Sequence, residues 1–278
     1  MVTMLILILL PVAFLLPPWA GAGEIIGGWE AQPHSRPYMA YLSIQRGDKN
    51  LFCGGFLVSQ NFVLTAAHCK GDKITVILGA HDITKWEGSR QVIPVRRQYP
   101  HKDYNKESYN NDIMLLQLAK RAKLNKSVDT ISLPRASERV EAGATCSVAG
   151  WGRTHTDCTS TPARLQEVDV LVMQDAACPT NTYRPYRYYN ASTMMCVGDP
   201  KTGKDSWKGD SGGPLVCRNT AQGIVSWGPP TPPGVYTKVS TFIPWIRATM
   251  KRLQPRAKPG IAAGAGAASL LSSGDAQM

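Results

Sequence analysis

Between Leu51 and Tyr236 the sequence consists of short runs of strand-forming residues that are separated by Gly, Pro and Asn. These runs cover residues 62–64, 74–78, 91–95, 113–118, 146–149, 168–173, 223–227 and 235–239. Runs of this length, bounded by turn residues, are typical of β-strands. Many short strands joined by turns predict an all-β protein that folds as barrels or as a sandwich.

The last element of the pattern is different, because apolar residues recur there at helical spacing: Ile243, Ile246, Met250 and Leu253. Ser240 and Thr241 precede this run and are expected to cap it, while Pro244 is tolerated in a first helical turn. The sequence therefore predicts a closing amphipathic helix. A sequence repeat of 20 to 50 residues is not visible, which excludes a solenoid or a propeller.

The two ends of the chain have compositions that set them apart from the middle. Residues 1–22 carry no charged side chain and end in Ala20-Gly21-Ala22, which predicts a cleaved signal peptide. Their apolar run is shorter than the ~20 residues that a membrane span needs, and prolines argue against a buried helix. Residues 254–278 are mostly Ala, Gly and Ser and are expected to form a disordered tail. The ordered unit is then 25–253.

Export to an oxidising compartment makes the seven cysteines material for disulfide bonds. The sequence contains no CxxC pair, no HExxH, no Gly-rich phosphate loop and no basic helix of the nucleic-acid type. These absences leave metalloenzymes and nucleotide-binding proteins without support, so no cofactor, metal or nucleic acid is expected. Lys and Arg outnumber Asp and Glu by 31 − 20 = +11, which predicts acidic partners.

Three segments combine a reactive side chain with glycines or strand residues, and they centre on His68, Asp112 and Ser211. A serine hydroxyl becomes a nucleophile when a base takes its proton, and the base needs a carboxylate to fix its tautomer. The glycines around Ser211 allow tight turns that aim the N–H groups of Gly209 and Ser211 at a developing oxyanion. Taken singly, His68 reads as a core or surface histidine and Asp112 as a turn residue; the set outweighs those readings.

These segments, together with four glycine-containing motifs, resemble the chymotrypsin family of serine proteases over residues 25–253. The motifs are Ile25-Ile26-Gly27-Gly28, Cys53-Gly54-Gly55, Gly150-Trp151-Gly152 and Ser226-Trp227-Gly228. The resemblance implies two packed six-stranded antiparallel β-barrels, with a boundary near residues 130–145, and a C-terminal α-helix. It also implies a serine endopeptidase that uses His68, Asp112 and Ser211 as a catalytic triad.

Within that family the sequence is most similar to the granule proteases: granzymes, cathepsin G and mast-cell chymases. The block 33–40 resembles theirs, and Trp207 stands where most other relatives have a bridged cysteine. A signal peptide that ends at Ala22 leaves the dipeptide Gly23-Glu24, which offers nothing to a trypsin-like activator. The resemblance therefore implies that an aminodipeptidase removes residues 23–24 and that the new Ile25 ammonium pairs with Asp210.

By resemblance, Asp205 forms the floor of the pocket that binds the substrate residue before the cleaved bond. Ser206, Ser226, Trp227, Gly228 and Gly234 match other substrate-binding positions of the pocket. A carboxylate at the floor would bind Arg or Lys, which predicts cleavage after basic residues. The alternative is that Asp205, between Lys204 and Ser206, is a solvated loop residue.

The resemblance pairs six of the cysteines as Cys53 with Cys69, Cys146 with Cys217, and Cys178 with Cys196. Cys158 is left over, as a free, capped or intermolecular thiol. Asn125-Lys126-Ser127 and Asn190-Ala191-Ser192 are sequons, which makes Asn125 and Asn190 candidate glycosylation sites.

The basic surplus is open to two interpretations. Scattered Lys and Arg usually form a solvated surface, but one set could converge on a patch for heparin-like acidic proteoglycans: Arg96, Arg97, Arg121, Lys123, Lys126, Lys251 and Arg252. The expected partners are protein substrates, such a proteoglycan, the activating aminodipeptidase and serpin-type inhibitors. The expected location is the secretory pathway, in granules or outside the cell. The rival function is a cationic, non-catalytic granule protein that binds glycosaminoglycans or microbial surfaces.

Overall fold

The structure is a computed structural model that describes residues 27–153, 161–180, 186–206, 209–229 and 231–253. Within these residues the chain forms thirteen strands, two short 3₁₀ turns and one α-helix. The strands are β1 (Trp29–Glu30), β2 (Met39–Arg46), β3 (Lys49–Ser59), β4 (Phe62–Thr65), β5 (Lys73–Leu78), β6 (Gln91–Pro100), β7 (Met114–Leu118), β8 (Thr145–Gly150), β9 (Gln166–Leu171), β10 (Met194–Val197), β11 (Pro214–Cys217), β12 (Thr220–Trp227) and β13 (Gly234–Lys238). The helix α1 is Val239–Leu253, and the 3₁₀ turns are Ala67–Cys69 and Asp175–Ala177. The expectation of a β protein with one closing helix is confirmed.

The first half of the chain forms a closed barrel in the order β2-β3-β4-β7-β6-β5. Its interior holds fully buried side chains from different strands, among them Leu42, Phe56, Leu64, Leu78 and Ile93. Burying these apolar surfaces stabilises the barrel. The strand predictions at 62–64, 74–78, 91–95 and 113–118 correspond to β4, β5, β6 and β7.

The strands β2 and β3 were missing from the sequence prediction. Gly54 and Gly55 lie inside β3, where glycine normally marks a break. In the structure a Cβ at Gly55 would lie 3.0 Å from Val63 Cγ1, and one at Gly54 would lie 3.1 Å from the backbone of Gly213. The two glycines therefore mark places where neighbouring chain comes close to an intact strand.

The second half forms a seven-stranded sheet in the order β1-β9-β8-β11-β12-β13-β10. Its strands β8 to β13 curl until Val172, just after β9, forms a single bridge with Val197 of β10. The second six-stranded barrel is thus closed by one bridge and not by a full strand pair. The short strand β1, which pairs with β9, is the seventh member and was not predicted.

The helix α1 buries Ile243 and Ile246, as the spacing predicted, and also Phe242, while Met250 and Leu253 are half-buried against the core. The predicted caps are wrong, because Ser240 and Thr241 lie inside the first turn and the Thr241 hydroxyl donates to the carbonyl of Ser192 (2.8 Å). Pro244 lies one turn further in and cannot donate to the carbonyl of Ser240. The N–H of Ser137 takes its place at 3.3 Å, which keeps that carbonyl paired.

Several predictions concern residues outside the described part of the chain. They are the signal peptide 1–22, the dipeptide 23–24, Ile25, Cys158, Trp207 and the tail 254–278. No helix in the described part is long and apolar enough to cross a membrane.

Candidate active site

The pairing of β4 with β7 brings His68 and Asp112 together. Thr65 at the end of β4 lies opposite Met114 at the start of β7, so the 3₁₀ turn after β4 meets the residues before β7. His68 Nδ1 lies 2.7 Å from Asp112 Oδ2, and the His68 N–H donates to Asp112 Oδ1 at 2.9 Å. These two bonds orient the imidazole and leave Nε2 as its outward nitrogen.

Asp112 is completely buried, and the residue is held by two further donors from the second half of the chain. The Ser226 hydroxyl donates to Oδ2 at 2.5 Å, and the Thr237 hydroxyl donates to the backbone carbonyl at 2.8 Å. Buried charges are tolerated when hydrogen bonds satisfy them. Ser226 was predicted to bind substrate, but its side chain is directed to Asp112, so only its backbone is available for that role.

The loop that carries Ser211 packs directly on the segment around His68. The carbonyl of Ser211 accepts the N–H of Gly54 at 2.8 Å and lies 3.7 Å from Cys69 Sγ. Gly212 has φ +83°, and a Cβ there would lie 2.1 Å from Thr65 Oγ1, so only glycine lets the loop approach this closely.

Ser211 and His68 are thus adjacent in backbone position, but their side chains are not hydrogen-bonded to each other in the described residues. In proteases without substrate this bond is often long or poorly aligned and tightens when substrate binds. Gly209 has φ +110°, which suits the tight turn before the serine. Neither the Gly209 N–H nor the Ser211 N–H donates to an acceptor within the part of the chain that the structure describes.

Asp210 is completely buried against the Gly150-Trp151-Gly152 motif. The N–H of Gly152 donates to Asp210 Oδ1 at 2.9 Å. A Cβ on Gly150 would lie 2.1 Å from that oxygen, and a Cβ on Gly152 would lie 2.5 Å from it. The glycines of this motif therefore provide the space for the carboxylate. Its predicted partner, Ile25, lies outside the described residues.

Asp205 is 4% exposed, and the N–H of Ser206 donates to its Oδ1 at 2.7 Å. The Tyr236 hydroxyl lies 3.5 Å from the same oxygen and donates to Ser206 Oγ at 2.7 Å. Burial raises the pKa of Asp205 to about 7, because an ionised carboxylate loses its hydration there. Asp205 has no ion-pair partner within the described ranges.

Gly234 lies next to this carboxylate, and Gly228 lies next to Gly234. A Cβ on Gly234 would lie 3.0 Å from Asp205 Oδ1, and a Cβ on Gly228 would lie 3.0 Å from the Cα of Gly234. Glycine at position 234 therefore keeps the space beside the carboxylate free.

Three aromatic or hydroxyl residues of the site were not predicted: Tyr109, Tyr236 and Thr237. Tyr109 has φ +55°, and its ring lies edge-on to the His68 imidazole, with 5.8 Å between centroids. The ring of Trp227 lies 6.4 Å from that of Tyr109. The sequence carries no local signal for Tyr109, because its role depends on the path of a long loop.

The cysteines are paired as the resemblance implied, with Cys53–Cys69, Cys146–Cys217 and Cys178–Cys196 as disulfides. His68, Cys53 and Cys69 bring their nitrogen and sulfur atoms within 4.8 Å of one another, a spacing that suits a metal ion. The two sulfurs are bonded to each other and are not thiolates, which are the form that binds metals. This cluster is therefore a disulfide beside a histidine.

The two sequons differ in their surroundings. Asn125 is exposed in a turn where its Oδ1 accepts the N–H of Ser127 at 2.8 Å. Asn190 is half-buried, and its Nδ2 lies 3.4 Å from Asn110 Oδ1. The glycosyl acceptor nitrogen of Asn190 is thus already engaged with the loop that carries Tyr109.

Comparison with known proteins gives one consistent family. The family model described as Trypsin matches residues 25–246. Granzyme B of Homo sapiens is 53% identical over 247 residues, which cover 88% of this chain and 98% of that protein. Duodenase-1 of Bos taurus is 52% identical over 250 residues, covering 89% and 97%. Cathepsin G of Homo sapiens is 50% identical over 250 residues, covering 88% and 94%.

A solved structure described as "Structure of GrC" superposes on this chain with a TM-score of 0.77 and 48% sequence identity. The match covers 82% of this chain and 100% of that one. Fold and sequence thus agree on the same group of proteins.

Proposed function

Because this chain belongs to the trypsin family of serine proteases and is a serine endopeptidase, we propose that His68, Asp112 and Ser211 form its catalytic triad. The observation that carries this proposal is that His68 is bonded twice to the fully buried Asp112, through its ring Nδ1 and through its backbone N–H, with the Ser211 loop packed on the same turn. His68 Nε2 removes the proton of Ser211 Oγ as that oxygen attacks the peptide carbonyl. Asp112 keeps the ring oriented and stabilises the imidazolium that forms.

The negative charge of the tetrahedral intermediate develops on the former carbonyl oxygen. The N–H groups of Gly209 and Ser211 are assigned to this oxyanion. His68 then gives its proton to the leaving amine, and an acyl-enzyme on Ser211 remains. Water, deprotonated by His68, attacks this ester and releases the acid.

The proposed specificity is cleavage after Arg or Lys. Support comes from Asp205, which is buried, lies beside Gly234 and has no cationic partner in the described residues. A guanidinium or ammonium that reaches this carboxylate compensates its desolvation. The curated relatives carry several different protease names, so this specificity is assigned from the residues of this chain and not from theirs.

Activation is proposed to follow export through the secretory pathway, with storage in granules or release outside the cell. Signal peptidase removes residues 1–22, and an aminodipeptidase removes Gly23-Glu24. The ammonium of Ile25 then joins the buried Asp210. A Cβ on Gly28 would lie 2.4 Å from the carbonyl of Glu167, so the chain at Gly28 lies tightly on the second sheet.

A fluorophosphonate probe tests the catalytic assignment. We expect labelling of a chain that begins at Ile25, none of its Ser211→Ala variant, and none of a chain that keeps Gly23-Glu24. Absence of labelling in the correctly processed chain would favour a cationic, non-catalytic granule protein.

Peptide substrates that differ only in the residue before the cleaved bond test the specificity. Faster cleavage after Phe, Leu or Asp than after Arg or Lys would contradict it.

A second candidate function is binding of heparin-like proteoglycans. Arg96, Arg97, Arg121, Lys123 and Lys126 are exposed and form no ion pair within the described residues. Arg96 and Arg97 lie on β6, where this strand pairs with the last residues of β7. Arg121 follows the end of β7 by three residues. The two remaining members of the predicted patch, Lys251 and Arg252, are at the end of α1.

Salt elution from immobilised heparin tests this function. Arg96→Gln combined with Arg97→Gln should lower the salt concentration at which the protein elutes. Each cation that is lost reduces the number of counterions released when the protein binds. Lys251→Gln combined with Arg252→Gln tests in the same way the part of the patch that lies at the end of α1. Elution of the unaltered protein at the salt concentration of a neutral protein would remove the proposal. The same activated protein would serve to measure inhibition by serpin-type inhibitors.

A further inference from the structure

Large apolar side chains are exposed at six positions of the described chain, and three of these lie on adjoining segments. The six are Trp29, Leu51, Trp86, Val92, Leu124 and Tyr188. Single exposed apolar residues are normal in proteins, but clusters are not. Trp86, Val92 and Leu124 come from the loop after β5, the start of β6 and the turn after β7, which adjoin one another in space. With Lys85, Lys123 and Lys126 they form what we call the interfacial face.

Two sets of contacts join these segments. The side-chain amide of Gln91, next to Val92, donates to the carbonyl of Lys123 and accepts the N–H of Lys123 at 2.8 Å. A Cβ on Gly79 would lie 2.9 Å from Val128 Cγ2 and 2.4 Å from the carbonyl of Ser89. The turn at residues 123–128 is therefore fastened against the base of the loop that carries Trp86.

The apolar members point away from the barrel. Trp86 is 83% exposed, the most of any large apolar side chain in the described residues. Val92 and Leu124 are 43% and 42% exposed, and Val92 lies opposite Ile77 on the outer side of the sheet. Exposed apolar surface contributes no burial energy to the fold, and a cluster of it indicates an interaction site.

The charges on this face are basic. Lys123 and Lys126 are exposed and have no ion-pair partner within the described residues, while Lys85 is 67% exposed and lies 3.4 Å from the nearly buried Asp82. The carboxylate of Glu87 is turned inward, where it accepts the N–H groups of His81 and Asp82. Asp129 is an exposed acid at the far end of the same turn, and its Oδ1 accepts the N–H of Thr130.

We propose that the interfacial face binds the headgroup region of an anionic phospholipid bilayer. Tryptophan is favoured at a boundary where one end of the ring is apolar and the other is hydrated. Lysines around it gain from the negative surface potential of such a membrane. A purely ionic polymer such as heparin would use the lysines and leave Trp86, Val92 and Leu124 in water, so the apolar side chains favour lipid. The face contains no residue of the proposed catalytic machinery, and the proposal stands independently of it.

Asn125 lies within this face, between Leu124 and Lys126, and a glycan there would cover it. The test therefore uses the full secreted chain carrying Ser127→Ala, which cannot be glycosylated at Asn125. Binding is measured by sedimentation with vesicles of phosphatidylcholine alone and of phosphatidylcholine with phosphatidylserine. The Ser127→Ala chain should bind only the second kind.

In that background Trp86→Ala should weaken partitioning about tenfold, and Lys123→Gln or Lys126→Gln about fivefold each. Tyr188→Ala and Lys49→Gln are matched controls, since they remove an exposed aromatic and an exposed lysine elsewhere. All variants should keep the peptidase activity of the unaltered chain. Trp86 fluorescence, taken as the difference between the parent and Trp86→Ala, should shift to the blue with anionic vesicles.

Three results would overturn the proposal. The first is absence of binding to anionic vesicles by the Ser127→Ala chain. The second is equal loss of binding in Lys49→Gln and Lys123→Gln, which would show attraction by overall charge. The third is retention on heparin together with vesicle binding that Trp86→Ala leaves unchanged, which would assign the face to an ionic polymer.

Discussion

At the scale of single residues, the three buried carboxylates of the site differ in their surroundings. Asp112 is bonded to His68 and to hydroxyls, Asp210 lies in a cradle of glycines, and Asp205 has hydrogen bonds but no cation within the described residues. A buried carboxylate without a nearby cation favours its protonated form. Asp205 is therefore the member of this set that is poised to receive a positive charge from a ligand.

The raised pKa of Asp205 predicts a pH dependence for ligands that carry a cation. Burial raises this pKa from 3.8 to about 7, so the carboxylate is mostly protonated at pH 5 and mostly ionised at pH 8. Benzamidine should bind about 100-fold more weakly at pH 5 than at pH 8, because only the ionised carboxylate attracts the amidinium. Isothermal titration across this range measures the effect. Asp205→Asn should bind weakly at every pH, and an equally steep pH profile in that variant would contradict the assignment.

The hydroxyl of Ser226 is predicted to serve Asp112 and not the substrate. Ser226→Ala removes a donor to a buried carboxylate, which costs about 1.5–3 kcal/mol. We expect kcat to fall about tenfold or more, with KM little changed, because no substrate contact is lost. Steady-state kinetics with an Arg substrate measures both.

Thr237→Val is the matched control, since the Thr237 hydroxyl donates to the backbone of Asp112 and not to its carboxylate. It should destabilise the protein and lower kcat less than Ser226→Ala does. Equal losses of kcat in the two variants would mean that Ser226 acts only through general stability.

At the scale of elements, the site is assembled where strands end. The pairing of β4 with β7 places His68 beside Asp112. The paired strands β12 and β13 bring Ser226 to the carboxylate of Asp112 and Thr237 to its backbone carbonyl. The hydrogen bonds of each strand pair fix these registers, and a shift by one residue would turn the side chains to the other face. The helix α1 takes no part in the site and packs its apolar face on the core.

The helix therefore offers a test of stability that leaves the site untouched. Ile246 is fully buried, whereas the next residue, Arg247, is exposed. Ile246→Ala should lower the free energy of unfolding by about 2–5 kcal/mol because it leaves a cavity, and Arg247→Ala should change it by no more than about 0.5 kcal/mol. Urea denaturation of the processed enzyme measures both. Similar values for the two variants would show that α1 does not pack on the core as described.

At the scale of the whole molecule, the disulfides connect stretches of very different length. Cys146–Cys217 joins β8 to β11 across 71 residues, whereas Cys178–Cys196 spans 18 residues. A bond that closes a longer loop restricts the unfolded chain more.

Removal of each bond by a double Cys→Ala substitution should reflect this difference. We expect a loss of about 4 kcal/mol for Cys146–Cys217 and about 3 kcal/mol for Cys178–Cys196. Guanidinium denaturation gives the two free energies of unfolding. A larger loss for the shorter loop would show that local packing outweighs the entropy of the unfolded chain.

Local sequence patterns were enough for part of this description. Short runs of strand-forming residues predicted β4 to β7, helical spacing predicted α1, and local motifs identified the segments of His68 and Ser211. These features depend on neighbours within a few residues, which sequence displays directly.

Other features became visible only in the tertiary structure. The strand β1 on β9, the single bridge that closes the second barrel, the hydroxyl of Ser226 on Asp112 and the ring of Tyr109 beside His68 all join distant parts of the chain. Such contacts depend on strand register, barrel closure and loop path, which are set by packing over the whole molecule and leave no periodic trace in the sequence.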